Sequence, residues 1–182
     1  MSGAGAGTTI WLTGLSGAGK STIAEALAAA LAEAGERVQI LDGDEVRTNL
    51  SAGLGFSRED RTTHVTRVGF VAELLARHGV TVIVPVIAPY ADARDRVRAH
   101  HDAHGTPYRE VYVATSLEEC RRRDVKGLYA RSAAGELTGL TGVDDPYEPP
   151  AAPDLTIDTA QVAVPAAVAR IRGLLPELED IA

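Results

Sequence analysis

Two textures alternate along this chain. Short, continuous apolar runs rich in β-branched residues are separated by longer stretches in which apolar side chains recur every three or four positions. Thr8-Thr9-Ile10-Trp11-Leu12 is the first run, and Ile23, Leu27 and Leu31 mark the helical stretch behind it. Gly35 stands where a helix C-cap is expected, and Arg37-Val38-Gln39-Ile40-Leu41 reads as a second strand ending at Asp42-Gly43-Asp44. A polar segment runs from Glu45 to about Thr63. Val68, Val71, Ala72 and Leu75 then share one helical face, closed by Gly79. Val80 to Val86 is apolar enough for a strand covered on both sides, although Pro85 weakens the pattern near its end. Residues 91–104 form another helix stopped by Gly105, and Glu110-Val111-Tyr112-Val113-Ala114 is a fourth strand. Ser116 is an N-cap, with Glu118 and Glu119 suited to the first turn. Residues 124–150, rich in Gly, Pro and Asp and carrying Lys126, form a long irregular segment of the kind that is functional or mobile. Leu155-Thr156-Ile157-Asp158 gives a fifth strand, and Pro165 opens a last helix carrying Val168, Ile171, Leu174 and Leu175.

This alternation implies an α/β fold, a parallel sheet of about five strands with helices on both faces. Residues 1–8, Gly- and Ala-rich, are expected to be a flexible tail, and residues 9–182 a single domain. In such sheets ligands gather beyond the carboxyl ends of the strands.

The candidate chemistry lies at that end. Gly14-Leu15-Ser16-Gly17-Ala18-Gly19-Lys20-Ser21 matches G-x-x-x-x-G-K-S/T at every specified position, between the first strand and the first helix. Its glycines let backbone N–H groups turn inward around phosphate oxygens, and the helix N-terminus adds its dipole. Ser16, Gly17, Ala18, Gly19, Lys20, Ser21 and Thr22 are the candidate nucleotide-binding residues. Lys20 is placed to reach the β and γ phosphates and Ser21 to hold Mg²⁺, so ATP and Mg²⁺ are the implied cofactors.

Asp42 and Asp44 end the second strand and face this loop by the same crevice rule. Asp44 is the candidate for receiving the acceptor's proton. No strand ends in four apolar residues followed by Asp, which disfavours a mechanical ATPase, and no Asn-Lys-x-Asp motif marks a guanine site. A small-molecule kinase that closes a positively charged lid over its phosphates fits better. Another nucleotide or a sugar hydroxyl remains an alternative acceptor.

Composition narrows the partners. The 182 residues carry a formal net charge of −7, which argues against non-specific nucleic-acid binding. No apolar run is long enough to span a membrane. Cys120 is the single cysteine, so no internal disulfide can form, consistent with a reducing compartment and an expected cytoplasmic location. His100 and His104 share a helical face as a potential metal pair, but no third ligand is evident nearby in the sequence. Their place in the last turn of a helix favours a structural, dipole-related reading.

The motifs after the second strand resemble adenylylsulfate kinases. The resemblance rests on Asp42-Gly43-Asp44-Glu45-Val46-Arg47 and Leu54-Gly55-Phe56-Ser57-Arg58-Glu59-Asp60-Arg61. It continues in Arg123-Asp124-Val125-Lys126-Gly127-Leu128-Tyr129 and Leu140-Thr141-Gly142-Val143-Asp144-Asp145-Pro146-Tyr147-Glu148, and extends from about Thr9 to Asp158. It implies transfer of the ATP γ-phosphate to the 3′-hydroxyl of adenosine 5′-phosphosulfate within sulfate activation, and a homodimer. It further implies that Arg47 and Arg61 grip the phosphosulfate, Phe56 stacks on the adenine, and His64, Ile87, Ala88, Gly139 and Leu140 border the acceptor. Lys126 would act from a lid spanning about residues 124–150, and Arg123 would contact ATP. Three positions depart from the common family pattern. His64 replaces an Asn, Ala88 a Ser proposed to carry a phosphoryl group, and Leu140 a Phe that would complete an aromatic sandwich on the adenine. Without a hydroxyl at residue 88, direct in-line transfer is implied.

Overall fold

The structure, a computed structural model, describes residues 7–175. Its strands are β1 (Thr9–Thr13), β2 (Val38–Ile40), β3 (Thr81–Pro85), β4 (Tyr108–Val113) and β5 (Leu155–Ile157). Its helices are α1 (Lys20–Glu33), α2 (Gly43–Leu50), α3 (Arg58–Arg77), α4 (Ala91–Ala103), α5 (Leu117–Arg123), α6 (Leu128–Ala133) and α7 (Val164–Arg172). The strands form one sheet in the order β2-β3-β1-β4-β5, every pair parallel. This is the fold class that the alternating textures imply.

Side chains two apart along a strand share a face, so each strand feeds two cores. Ile10 and Leu12 of β1, Ile83 of β3, and Val111 and Val113 of β4 join Ile23, Leu27 and Leu31 of α1 and Ile171 of α7. Trp11, Val82, Val84 and Tyr108 join Val68 and Ala72 of α3 and Ala93 and Val97 of α4 on the opposite side. Each fully buried aliphatic side chain here contributes about 1.5–3 kcal/mol. Where α3 meets α4 there is no room for a side chain at Gly69, because a Cβ there would lie 2.5 Å from Cγ2 of Val97.

Pro85 sits in β3 without harm for a positional reason. β2 is short and pairs with β3 only up to Ile40 opposite Ile83, so at Pro85 no β2 residue awaits an N–H. Val86 resumes the ladder on the other side, donating to the Leu12 carbonyl at 3.0 Å.

The structure adds order where polar composition hid it. The segment from Glu45 to Thr63 holds most of α2 and the start of α3. Asp42 caps α2, its Oδ1 accepting from the N–H groups of Asp44 (2.9 Å) and Glu45 (3.3 Å), while Ser57 caps α3. Apolar periodicity is faint in α2 because Val46 is its one buried residue. Within residues 124–150, the Asp124 carboxylate accepts from the N–H groups of Tyr129 and Ala130 and so starts α6. At the other end α7 stops at Arg172, so Leu174 and Leu175 pack from a turn beyond it. Most of the expected N-terminal tail lies outside the described residues. Gly7 donates to the Ala76 carbonyl at 2.7 Å and Thr8 is buried, so the ordered chain begins before residue 9.

Candidate active site

β1 and β3 are neighbours, but their outgoing connections part company. α1, which follows β1, covers one face, and α4, which follows β3, covers the other. A crevice must open beyond their carboxyl ends, and a cavity of about 440 Å³ lies there. Its wall is built from the loops after β1, β2 and β3 and from the segment leaving α5.

The loop after β1 curls tightly because its glycines permit it. A Cβ on Gly14 would lie 2.4 Å from the Val113 carbonyl oxygen, and Gly19 adopts φ 101° as it enters α1. No side chain caps α1, which leaves its first N–H groups for an anion. Lys20 folds back over the loop, donating from Nζ to the carbonyls of Gly14 (2.9 Å) and Leu15 (2.7 Å). Burial is the main reason its ammonium is pulled down to about 8. Ser21 and Thr22 are exposed on the cavity wall beside Ser16, Gly17 and Gly19. Ala18 lies off that wall and is fully buried. Its carbonyl accepts from the hydroxyls of Thr115 (3.0 Å) and Thr159 (2.8 Å), which fix the loop from behind. Arg123 reaches the cavity while held by Glu119 (2.7 Å) and by Thr159 Oγ1 (2.7 Å).

The two acids after β2 have separate employment. Asp42 is committed to capping α2, whereas the Asp44 side chain is 80 % exposed and meets only the Lys126 ammonium, at 2.5 Å across the cavity mouth.

Arg47, Phe56, Arg61, His64, Ile87 and Ala88 line the remaining wall. Phe56 is 68 % exposed, with the Arg47 guanidinium 4.2 Å from its ring centre. Arg47 also donates to the Gly55 carbonyl. Arg61 works as a three-way clamp, donating to the Phe56 carbonyl (2.8 Å), Thr141 Oγ1 (2.8 Å) and the Gly139 carbonyl (2.6 Å). Ala88 holds a left-handed φ of 44°. Its carbonyl accepts from buried Arg94 (2.6 Å), which also donates to the Glu148 carbonyl (2.6 Å) and pairs with Glu110 at 3.0 Å. Arg94 thus sets the shape of the 87–89 turn. It lies in a stretch of alternating charges on α4, where sequence alone does not separate it from solvated arginines.

His64 is buried, with Nδ1 3.0 Å from Ser51 Oγ. Burial, then the nearby Arg47 and Arg67 charges, push it down to about 4, so the ring is neutral at physiological pH. An unfolded histidine titrates near 6.5. Its contribution to stability is therefore complete above that value and is lost as the pH falls from 6.5 through 4. The His64→Asn variant is expected to lose less stability over this window, by about 1–2 kcal/mol, in urea titrations at pH 7 and pH 4.

Two expected acceptor residues take other places. Neither Gly139 nor Leu140 borders the cavity. The Asp144 carboxylate accepts from both of their N–H groups at 2.6 Å, and Leu140 is buried in the α1-side core. In this structure Leu140 packs in that core, while Gly139 meets the site through its carbonyl, which receives Arg61. The rest of the expected lid is also largely fastened. The Tyr129 hydroxyl donates to the Ser16 carbonyl (2.8 Å), Tyr90 to Asp145 (3.0 Å), and the Ala91 N–H to Glu148 (2.7 Å). Val125 and Lys126 are the exposed part that reaches over the cavity.

A phosphate-binding loop at the switch point of a parallel sheet, with a cationic segment hanging over it, defines a phosphotransferase of the P-loop class. The family model of adenylylsulphate kinase matches residues 6–158. The adenylyl-sulfate kinase of Rippkaea orientalis is 52% identical over 97% of this chain and 95% of its own length. That of Myxococcus xanthus is 53% identical over 95% and 96%. Among solved structures, the Mycobacterium tuberculosis APS kinase in complex with AMPPNP and APS superposes with a TM-score of 0.90 at 43% identity, covering 93% of this chain and 97% of that one. The chain belongs to the adenylyl-sulfate kinase family. Among the described residues, no helix is long and apolar enough to cross a membrane.

Proposed function

We propose that the protein transfers the γ-phosphoryl group of ATP to the 3′-hydroxyl of adenosine 5′-phosphosulfate, releasing ADP and 3′-phosphoadenosine 5′-phosphosulfate. The observation that carries this reading is the position of Asp44. One side of the cavity is the phosphate loop with Lys20, and the other is an arginine pair beside an exposed aromatic ring. Of the two carboxylates on the wall, only Asp44 is free of capping duty.

In this reading the loop N–H groups and Lys20 hold the ATP phosphates, with Arg123 beside them. Arg47 and Arg61 take the phosphosulfate, whose oxygens suit guanidinium forks. Phe56 stacks on the adenine, and His64, Ile87 and Ala88 shape the pocket. Asp44 accepts the proton of the 3′-hydroxyl as its oxygen attacks the terminal phosphorus in line. Lys126 exchanges its resting pair with Asp44 for the transferring phosphoryl group, where positive charge counts most. Ser21 is exposed at the loop's end and fits as a ligand of Mg²⁺, which would neutralise phosphate charge when bound. Ala88 offers no hydroxyl, so no phosphoryl-enzyme forms at that position.

ADP release measured with adenosine 5′-phosphosulfate, AMP and sugar acceptors tests the reading. Turnover is expected with the phosphosulfate and at most a trace with the rest. Turnover with AMP or a sugar, and none with the phosphosulfate, would overturn it.

A further inference from the structure

We propose that Glu73, His100 and His104 form a binding site for one zinc-like divalent transition-metal ion, bridging α3 and α4. One ligand atom from each residue lies within 4.8 Å of the other two, and Glu73 Oε2 is 3.7 Å from His100 Nε2. A tetrahedral ion with such ligands holds them roughly 3.3–3.6 Å apart, so small side-chain rotations close the site. It stands near the far end of α4 from the cavity, roughly 15 Å along that helix from Tyr90.

Two of the three ligand atoms lack any hydrogen bond. Glu73 is fully buried, yet Oε2 has no hydrogen-bond partner, and neither does the shielded Nε2 of His100. Arg77, on the solvent side, brings Nη2 to 3.4 Å from that oxygen without forming a hydrogen bond. Among the described residues Oε2 has a cation nearby but no hydrogen bond, a costly state for a buried carboxylate oxygen, and a divalent ion would supply the missing partner.

The neighbouring contacts orient the donors. Glu73 Oε1 accepts from Thr106 Oγ1 at 2.9 Å, which directs Oε2 toward the histidines. His104 Nδ1 donates to the His100 carbonyl at 2.8 Å, which leaves the Nε2 lone pair for an ion. His101 shows the contrast. Both its nitrogens are engaged, with the Val97 carbonyl (2.8 Å) and Thr9 Oγ1 (2.9 Å), so it is a packing residue. Two imidazoles and one carboxylate suit Zn²⁺, Co²⁺ or Ni²⁺, whereas Mg²⁺ takes oxygen ligands. The site is therefore chemically distinct from the metal position at Ser21. Sequence spacing marked the two histidines, but the carboxylate comes from another helix, brought close where Gly69 lets α3 rest on Val97.

The test is titration of the metal-free full-length protein with Co²⁺ and Zn²⁺ in the absence of nucleotide, followed by calorimetry and visible absorption. One equivalent of Co²⁺ is expected to bind with the absorption of a nitrogen-ligated, low-coordinate ion, to be displaced by Zn²⁺, and to resist excess Mg²⁺. His104→Ala, at an exposed position, should weaken Co²⁺ binding about tenfold or more, and Thr106→Val about 10–100-fold. Both variants should keep their phosphotransfer rate with Mg²⁺ and ATP. Absence of stoichiometric Co²⁺ binding, or binding undiminished in both His100→Ala and His104→Ala, would overturn the proposal.

Discussion

Turnover of an Asp44→Asn variant is expected to fall about 10²–10⁴-fold, with little change in the KM for ATP. The amide keeps the size of the side chain but cannot take the proton of an attacking hydroxyl. Folding should be untouched, because this carboxylate is exposed and its one partner is the exposed Lys126. The cap of α2 belongs to Asp42 and survives the change. Steady-state rates with a melting curve check both halves of the statement. A variant working within a few-fold of the parent would remove Asp44 from the chemistry. Asp42→Ala should do the reverse, costing about 1 kcal/mol of stability through the lost cap.

Lys20→Met is expected to lower kcat/KM for ATP about 10²–10³-fold, since it deletes the buried charge that the loop carbonyls hold beside the phosphate site. It also gives a proton signature. In the free protein burial pulls Lys20 down to about 8. Bound polyphosphate favours the ammonium and raises that value, so nucleotide binding takes up a proton around and above pH 8. Affinity then declines as pH climbs through 8, by up to about tenfold per pH unit. Calorimetry in two buffers of different ionisation enthalpy should detect this uptake in the parent and not in the variant. Equal proton uptake by both proteins would assign the titration to another group.

The sheet, its helices and the phosphate loop were legible in the sequence because each rests on a strong local pattern. Ile10, Trp11 and Leu12 are consecutive because β1 is covered on both faces, and Gly14, Gly19 and Lys20 have no substitutes in their roles. Legibility failed where polar contacts replaced apolar periodicity. α2 shows one buried residue and α6 starts from the Asp124 side chain, so neither carries a stripe. Leu140 matched a family position that borders the acceptor, yet the turn held by Asp144 sends it into the core. Arg94, Thr115 and Thr159 shape the site through backbone carbonyls, a role that leaves no spacing to read. Glu73 was hidden for a related reason, since its partners are distant in the chain.

The hydrogen bond from Tyr129 to Ser16 has a consequence for opening and closing. It anchors the foot of the overhanging segment to the phosphate cradle itself, and Arg61 pins the stretch beyond. The exposed Val125 and Lys126 sit between the held Arg123 and the held Tyr129. A movement confined to that short stretch would expose little surface as spent nucleotide departs, and would ask little of the scaffold's stability.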